Sequence, residues 1–150
     1  MASVMQRRVA AAQATRDRFY GKPFKWGERD CGQLAKWHLR KIGCPFKPAA
    51  RLPRYYSLLG AKKALAKLGH TNLIELMDAN FERIPPAAAL PGDVIAVPGE
   101  ELGALSVYLG NGRVIGFHPD ALGACVAQPV EYEAAWRVPV VSGSSPDSPP

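Results

Sequence analysis

Cysteine is scarce in this chain: 150 residues carry three, at Cys31, Cys44 and Cys125. An odd number with no close pairing excludes a disulfide framework as the basis of the fold. No CxxC or HExxH spacing occurs, so no dedicated metal site is expected, and nothing points to a cofactor. No apolar run approaches the roughly 20 residues needed to cross a bilayer. The charged start, Met1 to Arg8, is followed by no apolar segment of signal-peptide type. The expectation is a protein made and folded in a cytoplasm, with any export by another route. No aromatic-interleaved RNA-binding motif is present either.

Acidic residues are missing from one half. Residues 1–69 hold 16 Lys/Arg and 3 Asp/Glu, whereas residues 70–150 hold 3 and 10. The first half could in principle meet a polyanion. The simpler reading is that its basic residues decorate solvated helix faces, and nucleic acid is not the expected partner.

The chain's length fits one domain with one core. Up to residue 84 the pattern is helical. Val4 to Tyr20 runs to Gly21, a suitable C-terminal stop. Asp30 precedes a helix ending near Ile42 at Gly43 and Pro45. A third helix follows Arg54-Tyr55-Tyr56, with Leu58, Ala61, Leu65 and Leu68 on its apolar stripe and Lys62, Lys63 and Lys67 toward water. Asn72 and Glu75 have capping-box spacing for a fourth, running to about Phe81. After Pro85-Pro86 come short strand candidates: 93–97, 104–109, 113–118, 124–128 and 136–141. Asn111-Gly112 between two apolar runs is a strong hairpin signal. Helices first and strands second predict an α+β domain over residues 1–141, with N-terminal helices packed on a small antiparallel sheet. Residues 142–150 read as a disordered Ser/Pro-rich tail.

The most informative stretch is Phe24-Lys25-Trp26-Gly27-Glu28-Arg29-Asp30-Cys31. With Asp30 as cap, Cys31 falls in the first turn of a helix. Unpaired amides and the positive end of the helix dipole favour a thiolate there, as a nucleophile requires, and neighbouring N–H groups can hold an oxyanion. A small buried cysteine at a helix start fits the same spacing.

Here the sequence resembles a known family. Phe24 to Leu34 resembles the nucleophile motif of NlpC-type cysteine peptidases, an aromatic-x-Trp-Gly run before Asp-Cys. Pro91-Gly92-Asp93-Val94-Ile95 resembles that family's entry into its first strand, and Ser106 to Ile115 its central hairpin. Arg54-Tyr55-Tyr56 and Trp136-Arg137-Val138 resemble segments of a phage-associated branch. The resemblance implies a papain-like NlpC-type fold, with Cys31 as nucleophile and Trp26, Asp30, Gly32 and Ala104 as oxyanion-side or site-lining residues. It implies hydrolysis of peptidoglycan stem peptides by a protein of the phage tail tip, made in the bacterial host and carried in the virion with other tail proteins. The alternative is a catalytically degenerate tail or assembly component. Three positions depart from the family pattern. Ala104 stands where a base histidine is expected, Phe24 where an aromatic hydroxyl is expected, and Gly32 where serine is common.

Of the three histidines, His38 lies seven residues beyond Cys31, roughly 10 Å up the helix axis, and reads as a core residue. His70 follows Gly69 in a loop. His118 is the candidate base. A two-residue Asn111-Gly112 loop would pair it with Leu105. A three-residue Gly110-Asn111-Gly112 loop with a bulge would place it opposite Ala104, its imidazole able to reach the vacant position.

Overall fold

The computed structural model describes residues 2–98, 101–118 and 121–140. The 142–150 tail lies outside the described residues. Four α-helices precede all six strands of one sheet. Helix α1, Val4–Phe19, opens on a reciprocal capping box between Ser3 and Gln6. Helix α2, Cys31–Ile42, is capped by Asp30 and closed by Gly43 in the left-handed region. Helix α3, Leu58–Lys67, starts at a Ser57 cap. Helix α4, Leu73–Asn80, starts at Asn72, which accepts from the Glu75 amide at 2.8 Å. The return arm of that box goes one residue further back: the Glu75 carboxylate takes the Thr71 amide and hydroxyl.

The strands are β1 Glu82–Ile84, β2 Val94–Val97, β3 Ala104–Gly110, β4 Arg113–Gly116, β5 Cys125–Ala127 and β6 Ala134–Arg137. All pairings are antiparallel, in the order β1-β6-β2-β3-β4-β5. The α+β reading therefore holds. Three details differ from expectation. β1 is a strand the sequence pattern did not offer. The last strand begins at Ala134 rather than Trp136, because its pairing with β2 runs through Ala134 and Ala135. Lys62 does not simply face water; it is half-buried and pairs with Glu101.

Period-two alternation divides the sheet. Val94, Ala96, Leu105, Val107, Ile115 and Trp136 face α1 and α2, meeting Ala11, Ala12, Leu34 and Leu39. Ile95, Val114 and Ala135 point the other way, under Tyr108 and Tyr132. A third apolar cluster joins Tyr55 to α3, α4 and Leu102.

The β2 entry is fixed by a buried ion cluster. Asp93, with no exposed surface, takes hydrogen bonds from the Leu90 and Val138 amides at 2.9 Å each and from Arg8 at 3.1 Å and Arg137 at 3.0 Å. Arg8 also donates to the carbonyls of Pro91 and Val138, so α1, β2 and the end of β6 share one charge network.

The β3–β4 hairpin combines the two loop readings. Asn111 and Gly112 both have positive φ, 54° and 76°, which makes a tight two-residue turn, and Gly110 pairs with Arg113. A bulge between Tyr108 and Gly110 then shifts the register, so that Val107 faces Ile115. That register, extended past the end of β4, runs Ala104 in line with His118. Loop length and register are thus decoupled by the bulge.

Candidate functional site

The amino end of α2 is built around one carboxylate. Asp30 is buried, and its Oδ1 accepts from the Gln33 amide at 2.8 Å in the ordinary capping manner. Its Oδ2 accepts twice, from the Gly27 amide and from the Tyr55 hydroxyl, both at 2.8 Å. The Trp-Gly turn is thereby folded back onto the helix it introduces. Gly27 has a φ of 82°, and a Cβ there would stand 2.1 Å from the Tyr55 carbonyl oxygen. Any side chain at 27 would force the two segments apart.

Tyr55 brings an aromatic hydroxyl to the Asp30 carboxylate. It arrives from the loop before α3, donates to Asp30 and accepts from Gln33 Nε2 at 3.2 Å. Burial, then the negative charge of Asp30, push its phenol well above the usual range. It is a fixed neutral donor. A Cβ on Gly32 would lie 3.8 Å from this hydroxyl and 3.4 Å from Asp30 Oδ1, ordinary contact distances, so nothing bars a side chain at 32.

Cys31 sits in the first turn of α2, half-buried. Its Sγ lies 3.5 Å from the carbonyl oxygen of Gly103, close enough for a weak S–H···O bond. Gly103 immediately precedes Ala104 at the head of β3, and the neighbouring Leu102 carbonyl accepts from the Leu73 amide at 2.8 Å. The helix amides favour a thiolate at Cys31, and the facing carbonyl dipole favours the thiol.

The six residues singled out from sequence, Trp26, Asp30, Cys31, Gly32, Ala104 and His118, line one cavity of about 400 Å³. His118 is exposed at its edge, just beyond Phe117. Edge-on aromatic contacts frame this side: Phe117 to Phe24 at 5.5 Å, Phe24 to Trp26 at 4.9 Å and Trp26 to Tyr55 at 6.5 Å. Phe24 therefore has a packing role of its own. The cavity continues inward between α2, α3 and α4 along Leu39, Leu58, Leu65, Leu76 and Met77. This inner part is lined by aliphatic side chains and opens to solvent past Lys36, Glu101 and His118.

His38 takes no part in this site. It is fully buried, with Nε2 2.7 Å from the Gly92 carbonyl and Nδ1 2.8 Å from Thr15 Oγ1. A carbonyl only accepts, so Nε2 carries the proton, and the single Thr15 hydroxyl proton is shared between Nδ1 and the Ala11 carbonyl, 2.9 Å away. Burial lowers its pKa to about 4, with the Arg8 charge acting in the same direction. His70, half-buried in its loop, lies 3.9 Å from Glu75. Among the described residues, no group of three or more His, Cys, Asp or Glu is placed to hold a metal ion. No described helix is long and apolar enough to cross a membrane.

Sequence reasoning missed the parts played by Tyr55, Gln33 and Gly103. Arg54-Tyr55-Tyr56 stood out as a motif, but only the fold shows that Tyr55 reaches Asp30. Gly103 had no signal beyond its place before a strand.

The sequence profile described as "Domain of unknown function (DUF6950)" matches residues 5–138. The chain belongs to the DUF6950 family. No curated protein matches it. Among solved structures this DUF6950 domain is similar to NlpC2 from Trichomonas vaginalis, with a TM-score of 0.58 and 16% sequence identity. The match covers 88% of this chain and 47% of that one, so the domain spans less than half of that neighbour's length. At that identity the likeness is one of fold: the DUF6950 chain shares the NlpC-like α+β arrangement.

Proposed function

We propose that this chain is an NlpC-like domain of a phage tail whose Cys31 cleft acts on the peptide stems of bacterial peptidoglycan. The observation that carries the reading is the convergence of Cys31, at the amino end of α2, and His118 on one cavity. In this reading the Cys31 sulfur attacks the scissile carbonyl carbon and His118 takes the thiol proton and returns it to the leaving amine. Amides at the start of α2 hold the oxyanion. Asp30 and Tyr55 do not touch the reacting atoms; they fix the turn that presents Cys31. The tail location and tail-protein partners rest on the resemblance of Arg54-Tyr55-Tyr56 and Trp136-Arg137-Val138 to phage-associated sequences. The test is incubation of the purified chain with stem peptides. Cleavage that disappears in Cys31→Ala and in His118→Ala supports the reading, and wild-type protein without cleavage refutes turnover.

A second reading is favoured by a specific pair of observations. Ala104 holds the position of the expected base, and the Gly103 carbonyl lies 3.5 Å from the Cys31 sulfur. In that reading the domain is a degenerate peptidase kept for its shape in the tail. It requires that stem peptides or tail proteins bind without being cut.

A further inference from the structure

The cavity beside Cys31 is unequal along its length. Its polar walls, Asp30, Cys31, Gln33 and His118, belong to the amino end of α2 and the segment just past β4. Lys36 and Glu101 stand at its surface, the latter paired to Lys62. Leu39, eight residues beyond Cys31 on the same helix, also lines it, so the space extends about 12 Å along α2. The inner walls are Leu58 and Leu65 of α3 and Leu73, Leu76 and Met77 of α4.

These inner walls present leucine and methionine side chains, which neither donate nor accept a strong hydrogen bond. A peptide threaded inward would bring an N–H and a C=O per residue and find no partner for them. A flexible methylene chain asks for no hydrogen bonds and fills such a space.

We propose that the inner part of the Cys31 cavity binds the aliphatic chain of a long-chain fatty acyl group, with its polar head at the mouth beside Cys31 and His118. The cavity volume lies within the range of about 300–1,000 Å³ found for small-ligand sites. The inference does not rest on Cys31 being a working nucleophile, since the recognition comes from the leucine walls.

The experiment titrates the full chain with dansyl-undecanoate, followed by fluorescence, and competes it with octanoate, decanoate, laurate, myristate and palmitate. The expected result is saturable binding at one site. Competitor affinity should rise by up to about fourfold per added methylene until the space is filled. Leu58→Trp, at a half-buried wall position, should weaken binding at least tenfold with an unchanged circular dichroism spectrum. The chain-length series uses wild-type protein and so stands even if the variant misfolds. Absence of saturable binding, a flat chain-length dependence, or unchanged affinity in a folded Leu58→Trp would each overturn the proposal. Stem-peptide cleavage plays no part in this readout, so its success or failure is a separate result.

Discussion

The Tyr55 hydroxyl donates to Asp30 Oδ2 at 2.8 Å, tying the loop before α3 to the cap of the cysteine helix. The same carboxylate caps Gln33 and holds the Gly27 amide. Asp30→Ala removes the cap and leaves the Tyr55 hydroxyl proton and the Gly27 amide without an acceptor. A loss of about 3 kcal/mol is expected from those penalties together. Tyr55→Phe removes one bond and should cost about 1 kcal/mol. Urea unfolding measures both. Because the residues are in contact, the double variant should lose less than the two single losses together. Strict additivity would show that the bond contributes nothing to the fold.

What could be read from the sequence around this pair, and what could not, follows from distance along the chain. Asp30, Cys31 and Gly43 announce α2 because caps and stops act within a turn of the helix. Asn111-Gly112 announces the hairpin for the same reason. The Tyr55–Asp30 bond spans 25 positions and the Cys31–Gly103 contact spans 72, and no local pattern encodes either. β1 was invisible because Glu82-Arg83-Ile84 is a short charged segment at the sheet edge, made a strand only by pairing with β6. The bulge between Tyr108 and Gly110 could not be inferred from the turn residues, and it alone decides which residue stands in line with His118.

The Arg8–Asp93–Arg137 cluster offers a test of the frame behind the site. Arg8 and Asp93 are almost wholly buried, whereas Arg137 is partly exposed. Arg8→Ala strands the Asp93 carboxylate beside an empty guanidinium position and should cost about 3–5 kcal/mol. Arg137→Ala leaves Asp93 still held by Arg8 and two amides and should cost less. Denaturation midpoints compare them, and an equal loss would mean that burial does not set the weight of these pairs.

His38 gives stability a defined pH dependence. Its pKa in the folded chain is about 4, below the roughly 6.5 of an unfolded histidine. Between those values the unfolded chain binds the extra proton, so stability falls as pH drops through that window. From pH 7.5 to pH 5 the expected loss is about 2 kcal/mol. It should be absent in His38→Gln, a variant destabilised at every pH but flatter in slope. An identical slope in the variant would assign the acid sensitivity to other groups.

The three cysteines should differ in reactivity. Cys31 sits at the amino end of α2, whereas burial pushes the Cys44 thiol up, and Cys125 is half-buried in β5. Limited alkylation near neutral pH, mapped by mass spectrometry, should label Cys31 first, because the thiolate is the reacting form. Equal labelling at all three would mean that the Gly103 carbonyl offsets the helix amides and that Cys31 is not activated.

Ala104 and His118 decide whether the Cys31 sulfur has a base. Both line its cavity, and the register of β3 against β4 runs one toward the other. Ala104 follows the residue whose carbonyl faces the sulfur, so an imidazole there would start from the strand nearest Cys31. His118 stands past the end of β4, is exposed, and lines the same cavity. If His118 serves as the base, stem-peptide cleavage by the wild-type chain should be lost in His118→Ala and restored in part by adding Ala104→His to that variant. If the domain is degenerate, wild-type and His118→Ala proteins should both be inert, and Ala104→His alone should create measurable turnover. A base must come within about 3 Å of the thiol proton, or one water away. Lack of turnover in every combination, with Cys31 still alkylated fastest, would leave a reactive thiol without a peptidase and remove catalysis from the account of this cleft.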